Sequence, residues 1–265
     1  MILAVLLSCG VSASLREGKS ALEAGDLVSA EAAWRAALQA DPENAEALAG
    51  LGWTYHLAGQ EDTARSSFQQ CVNLHPDAAP CYRGLGSVAL AEGNIAQARK
   101  HLNLAMQRAP DDPATRHSLG LLELAAGNPD QALTIFQQLL AGEPDRSEYQ
   151  EAAAECLLAL QRAEEASEVA GKAVDNARVP RQKVVALMTR AKALVALTAS
   201  RVDPSRCAQT APPIYGVLEE ANRNLDLATT LGVPVPGLNE VRRMIQRRKA
   251  AVEDQCPGSS GMPHG

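Results

Sequence analysis

Residues Ala45 to Ala78, AEALAGLGWTYHLAGQEDTARSSFQQCVNLHPDA, decide the fold, because much of the chain reads as copies of them. Leu48, Leu51, Gly52 and Tyr55 mark one short amphipathic helix, Gly59-Gln60 a turn, and Ala64, Phe68 and Cys71 a second helix that ends before Pro76. Neither helix can bury its apolar face alone, so the unit needs neighbours on both sides. The neighbours are present. Pro42, Pro76, Pro110 and Pro144 are spaced by 34 residues. The same period carries Gly18, Gly52, Gly86 and Gly120; Gly25, Gly59, Gly93 and Gly127; Ala30, Ala64, Ala98 and Ala132; and Trp34, Phe68, Leu102 and Phe136.

Composition supports a helical array. The chain of 265 residues is 46% hydrophobic but only 3% aromatic, so burial falls to Ala and Leu, and no Val/Ile/Thr alternation argues for a sheet. A stack of repeats grows without a single core to saturate, so length alone sets no domain count. The net charge of −6 gives no electrostatic footprint for nucleic acid.

Four units follow in unbroken register over 11–146: 11–44, 45–78, 79–112 and 113–146. Within each, a Leu-Gly or similar small pair lets the two helices approach, Gly-Asn, Gly-Asp or Gly-Gln closes the first helix with a left-handed residue, and Pro marks the end. This pattern resembles the tetratricopeptide repeat, whose 34-residue unit is a helix-turn-helix with Leu-Gly, Tyr, Ala, Phe, Ala and Pro at these places. The fold class the resemblance implies is an all-α solenoid of about six units with a C-terminal capping helix. Residues 147–180 read as a degenerate fifth unit, in which Gln161-Arg162 replaces the glycine turn and Arg178 stands where Pro is expected. Residues 181–233 read as a sixth, with an inserted loop at 201–213 (RVDPSRCAQTAPP). The stretch 237–253 reads as the cap, its Arg242, Arg243, Arg247, Arg248 and Lys249 toward solvent, and 254–265 as a disordered tail rich in Gly, Ser and Pro.

Residues 1–9 resemble the end of a bacterial lipoprotein signal, with Leu6-Leu7-Ser8 before Cys9 as the lipidated residue. The match is partial, since no Lys or Arg precedes the short apolar run, and this reading expects a start further upstream. The alternative makes these residues the start of the first helix, in a cytoplasmic protein. Five further cysteines follow. Cys71 and Cys81 stand at mirrored positions about Pro76, and Cys207 and Cys256 flank the last helices. Two disulfides would suit an exported protein; the alternative is that all are reduced core residues. Cys156 occupies a small-residue slot and reads as an inert thiol.

No catalytic constellation emerges, and no cofactor or metal site is expected. Gly84-Leu85-Gly86-Ser87-Val88-Ala89 matches a dinucleotide fingerprint but lies inside a helix, and Cys71, His75 and Cys81 lack a fourth ligand. The expected site is a groove. In the family the first helix of each unit lines the inner surface, which here implies Leu22, His56, Leu90, Leu124 and Leu158 at one position, Trp53 and Leu121 at a second, and Arg83 and His117 at a third, with Glu151 and Glu155 at the far end. The Lys and Asn pair with which some members clamp a terminal carboxylate is absent. An apolar groove suits a protein or peptide segment; the alternative is that these leucines pack between units and only stabilise the fold. Architecture also resembles the outer-membrane pilotins that help assemble secretin rings. The expectation is a non-catalytic scaffold, lipid-anchored on the periplasmic face of a bacterial envelope, with a cytosolic adaptor as the alternative.

Overall fold

The computed structural model describes residues 2–199, 203–233 and 235–259, with side chains from residue 11 onward. Among the described residues there are thirteen α-helices and no strand. The chain divides into two compact units, Met1–Asn128 and Pro129–Gly265, and the boundary falls inside the fourth repeat, between its two helices. The architecture is all-α, of the repeat-solenoid class that the 34-residue period implies.

The first unit holds α1 (Ile2–Ala24), α2 (Leu27–Ala40), α3 (Ala45–Leu57), α4 (Glu61–Leu74), α5 (Ala79–Ala91), α6 (Ile95–Arg108) and α7 (Pro113–Ala125), each packed on the next. Asp26, Asn44, Asn94 and Asp112 cap helix starts by accepting backbone N–H bonds. Gly25, Gly59, Gly93 and Gly127 take φ between +73° and +82°, and the next residue's N–H reaches back to the first helix, as in Gln60 N to Tyr55 O at 2.9 Å. That closure satisfies carbonyls the helix end would otherwise strand.

Bulky side chains on the second helices fill the spaces between first helices. The Trp34 indole is 2% exposed and lies against Gly18 of its own repeat and Gly50 of the next; the fully buried Phe68 ring lies against Gly52 and Gly84 in the same way. A Cβ built on Gly18 would come within 2.6 Å of the indole, and one on Gly52 within 2.7 Å of the phenyl ring. The backbone therefore touches the ring face directly. Leu102 performs the same role against Gly86. This also disposes of the dinucleotide fingerprint, since Gly84 and Gly86 lie within α5 and serve packing.

The second unit holds α8 (Pro129–Gly142), α9 (Ser147–Ala159), α10 (Ala163–Asn176), α11 (Pro180–Leu197), a 3-10 turn (Pro204–Arg206), α12 (Cys207–Thr230) and α13 (Leu238–Gln255). Its fifth repeat keeps the helix-turn-helix although the turn glycine is missing, because Gln161 adopts φ +61° and Arg162 N still bonds Leu157 O at 2.8 Å. The largest core of this unit joins Leu187, Ile214, Leu218, Leu225, Val241 and Ile245 from α11, α12 and α13.

Three readings of the C-terminal region need correction. The inserted loop at 201–213 is shorter than expected: residues 200–202 lie outside the described residues, and helix begins at Cys207 with Pro212 and Pro213 inside it. An interior proline costs about 3 kcal/mol, and Pro212 and Pro213, the sixth and seventh residues of α12, lie beyond the first turn, where a missing donor would cost less. Burial of Ala211, Pro212, Ile214, Tyr215 and Leu218 opposes that cost, at about 1.5–3 kcal/mol for each large side chain. Nor is the tail disordered from 254. Helix α13 runs to Gln255, Cys256 and Ser259 are each 1% exposed, and Gly258 N donates to Glu253 Oε1 at 2.7 Å. Residues 260–265 lie outside the described residues. Nor do all the basic residues of α13 meet solvent: Arg248 Nε donates to Thr198 Oγ1 at 3.1 Å, tying the cap to the end of α11, and Arg242 bonds Asp226 at 2.8 Å.

Cys71 and Cys81 are bonded across the turn from α4 to α5 (Sγ–Sγ 1.92 Å), and Cys207 and Cys256 join the start of α12 to the end of α13 (1.97 Å). Cys156 is free and fully buried, and burial pushes its thiol up to about 12. The lipidation reading at Cys9 falls on a side chain outside the described ones; the backbone there is helical, continuous with α1. Among the described residues no helix is long and apolar enough to cross a membrane.

Alanine in place of an exposed helical glycine stabilises by about 1 kcal/mol. Gly52→Ala is expected to do the reverse, losing about 1–3 kcal/mol by overpacking Phe68, read as a lower urea midpoint at unchanged slope. Gln161→Gly is expected to raise the stability of the second unit by about 1 kcal/mol, because glycine takes positive φ without steric cost.

Candidate protein-interaction face

In the first unit α1, α3, α5 and α7 pack in series, and the face they share carries the residues singled out from the sequence. Its centre is aromatic and cationic. The Trp53 indole meets Phe68 edge-on at 5.4 Å and His56 at 5.6 Å between ring centroids. Arg83, one repeat on, lays its guanidinium over the Trp53 ring, 4.4 Å from the centroid, in a cation-π stack. His56 Nδ1 is bound to Glu61 at 2.7 Å, which fixes the imidazole at the start of α4.

Arg83 is poorly compensated. Asp112, the nearest carboxylate, stands 3.9 Å from its Nε, and that carboxylate is committed elsewhere: it caps α7, accepting from Ala114 N, Thr115 N and Thr115 Oγ1. The Arg83 side chain keeps 21% of its surface exposed, while its Nε, like Trp53 Nε1, is buried with no hydrogen-bond partner. Burial pulls the guanidinium below the ordinary arginine value, and attraction to Asp112 offsets only part of that.

The leucines stand differently from expectation. Leu22, Leu90, Leu121 and Leu124 are half-buried, as are Trp53, His56, Arg83 and His117. Leu22 packs on the cluster around Trp34, and Leu90 on the cluster around Leu102 and Leu122. Among the described residues the most exposed large apolar side chains lie elsewhere, Val28 at 81% and then Leu57, Leu74, Leu227 and Met244 at 36–45%. Leu22 and Leu90 thus spend one side on the core while part of each stays exposed.

In the second unit the corresponding positions of α9 bond internally. Leu158 is half-buried. Thr189 Oγ1 on α11 is 3.1 Å from Glu151 Oε1 and 2.9 Å from Glu155 Oε1, and Lys192 Nζ donates to Glu155 Oε1 at 2.6 Å. Sequence reading missed both partners, yet Thr189 and Lys192 lie 34 residues beyond Glu155 and Leu158, so the period reaches into the sixth repeat. Burial, then the Glu155 carboxylate, pushes the Glu151 carboxyl up to about 7.

No group of three or more metal-ligating side chains forms among the described residues, and Cys71 and Cys81 are spent on each other. Glu151 holds its proton more tightly when folded, so its contribution is full below about pH 4.5 and is lost as pH rises through about 7. Wild-type stability is expected to fall by up to about 3 kcal/mol over that window. Glu151→Gln should remove this dependence, measured by urea unfolding at a series of pH values.

Three sequence-family models, each described as tetratricopeptide repeat, match residues 15–79, 77–145 and 123–191. A search of curated proteins finds no match. Among solved structures, TTC0263, a thermophilic TPR protein of Thermus thermophilus, is 26% identical with a TM-score of 0.60, the match covering 71% of this chain and 98% of that one. PilF of Pseudomonas aeruginosa is 16% identical with a TM-score of 0.55, covering 89% and 98%. A chain of the APC/C hetero-tetramer Cut9-Hcn1 is 15% identical with a TM-score of 0.67, covering 90% of this chain and 42% of its own. The last two likenesses speak to fold alone. With helix pairs at a period of 34 and successive family matches from residue 15 to 191, the chain belongs to the tetratricopeptide-repeat family.

Proposed function

We propose that the chain is a non-catalytic scaffold that holds a protein segment against its first-helix face, and that it works as a lipid-anchored protein of a bacterial envelope, assisting assembly of a membrane complex. Protein-protein interaction is the general role of this repeat family; the observation that carries the reading to this face is the half-buried row through Leu22, Trp53, His56, Arg83 and Leu90. Such a row keeps apolar and aromatic surface available while the fold stays closed behind it.

The envelope half of the reading rests on cysteine chemistry. A cytosol keeps thiols reduced, whereas this chain holds two disulfides and leaves only the buried Cys156 free among its described cysteines. The run Leu6-Leu7-Ser8-Cys9 supplies the small residue and cysteine at which lipid attachment would occur.

The test is intact mass and detergent partitioning of the protein expressed in a bacterial host together with its upstream coding sequence. The expected product begins at Cys9, carries acyl chains and enters the detergent phase. An unprocessed product with reduced cysteines that stays in the aqueous phase would favour the cytosolic adaptor instead.

A further inference from the structure

Among the described arginines of its unit, Arg83 is the one whose Nε is buried without a hydrogen-bond partner, whereas Arg16, which also donates none, is exposed to solvent. Arg35, Arg65, Arg99, Arg108 and Arg116 each donate at least one hydrogen bond to a carboxylate, carbonyl or phenol oxygen. Arg83 donates none among the described residues. Its one carboxylate neighbour, Asp112, faces it with Oδ2, which already accepts two hydrogen bonds from the α7 cap and at 3.9 Å stands too far to accept a third from Arg83 Nε. Its stack on Trp53 holds the guanidinium plane in place, and only Nε is among the buried unbonded atoms, so the terminal nitrogens reach the face.

A half-buried cation held rigid and left without an acceptor costs free energy that a solvated surface arginine would not. Two adjoining amino groups fixed in one plane match the two oxygens of a carboxylate. Beside them the surface is aromatic, formed by Trp53 and by the His56 ring edge-on to it, whose imidazole is already taken by Glu61, and the half-buried Leu90 follows two turns along α5 from Arg83. The equivalent positions of the fifth repeat show the contrasting case, where Glu151 and Glu155 find their partners within the fold at Thr189 and Lys192.

The geometry points to Arg83 as the receptor for an acidic side chain, an Asp or Glu flanked by apolar residues, in the segment bound to the face of α3 and α5. This rests on the binding face named above and adds the chemistry of its occupant. The carboxylate takes a two-pronged hydrogen bond from the guanidinium while the flanking apolar residues cover Trp53 and Leu90. Asp112 stays with its helix cap throughout.

The test is selection of random phage-displayed peptides on the full-length oxidised protein, followed by affinity measurements on the selected peptides. Enrichment of Asp or Glu beside apolar residues is expected. Changing that acid to its amide should weaken binding to the wild type by roughly tenfold or more, and should cost much less against Arg83→Gln. Because the acid-to-amide change is made on the peptide, the comparison holds even where Arg83→Gln lowers stability, and Arg83→Lys, which keeps charge without the planar fork, should recover only part of the affinity. Peptides that need Trp53 but bind alike with acid or amide overturn the carboxylate assignment alone. Peptides indifferent to both Trp53→Ala and Arg83→Gln, or a selection that yields none, overturn the binding face and this inference together.

Discussion

The structure of the first unit depends on one contact type, a bulky side chain pressed against backbone that carries no Cβ. Trp34 between Gly18 and Gly50, and Phe68 between Gly52 and Gly84, set how near consecutive first helices come. Because each ring touches its own repeat and the next, the contact closes a repeat and orders its neighbour at once. That spacing brings Arg83 of one repeat over Trp53 of the one before, so the chemistry of the outer face follows from the packing behind it. The 34-residue period therefore has a physical reason: a residue gained or lost between glycine and ring would leave the ring facing a side chain.

The second unit reaches similar helix pairs by other means. Ala154 stands where the earlier repeats have glycine and Ala170 where they have Trp, Phe or Leu, both fully buried, so two small side chains replace the pairing of ring and bare backbone. Hydrogen bonds between elements are used more here. Ser147 Oγ donates to Ala173 O at 2.8 Å, Gln182 reaches Glu148 at 2.6 Å, and Thr189 bridges two carboxylates. At its C-terminal end the Cys207–Cys256 bond and the Arg248 contact with Thr198 hold α13 over the core of α11 and α12. The loop closed by that disulfide is long, and in the chain-entropy view long closures restrict the unfolded chain most.

The helix pairs, their turns and the ring slots were legible because each rests on local signals that recur: glycine at a left-handed position, Pro after a helix, an aromatic at a fixed offset. The fifth turn was legible only as a departure, since Gln161 keeps the glycine geometry without the glycine. The start of α12 was not legible. Two adjacent prolines and polar neighbours signal a loop locally, and burial against α11 and α13, a tertiary effect, overrides them. The residues of the interaction face were legible by register, but their state was not. Nothing at position 83 says that Asp112 will be taken by its own helix cap, and nothing at Glu151 says that Thr189 will stand opposite. Partners that distant in sequence are set by how elements stack.

The Cys71–Cys81 bond lies on the junction between the second and third repeats, the same junction that Trp53 and Arg83 span on the face. Stacked repeats part from one another one interface at a time, since each is held only by its neighbours. A covalent link at one interface removes that seam from the set that can open separately. Fraying from either end must then stop there or break both repeats together, so the aromatic and its cation stay registered while the rest of the array breathes.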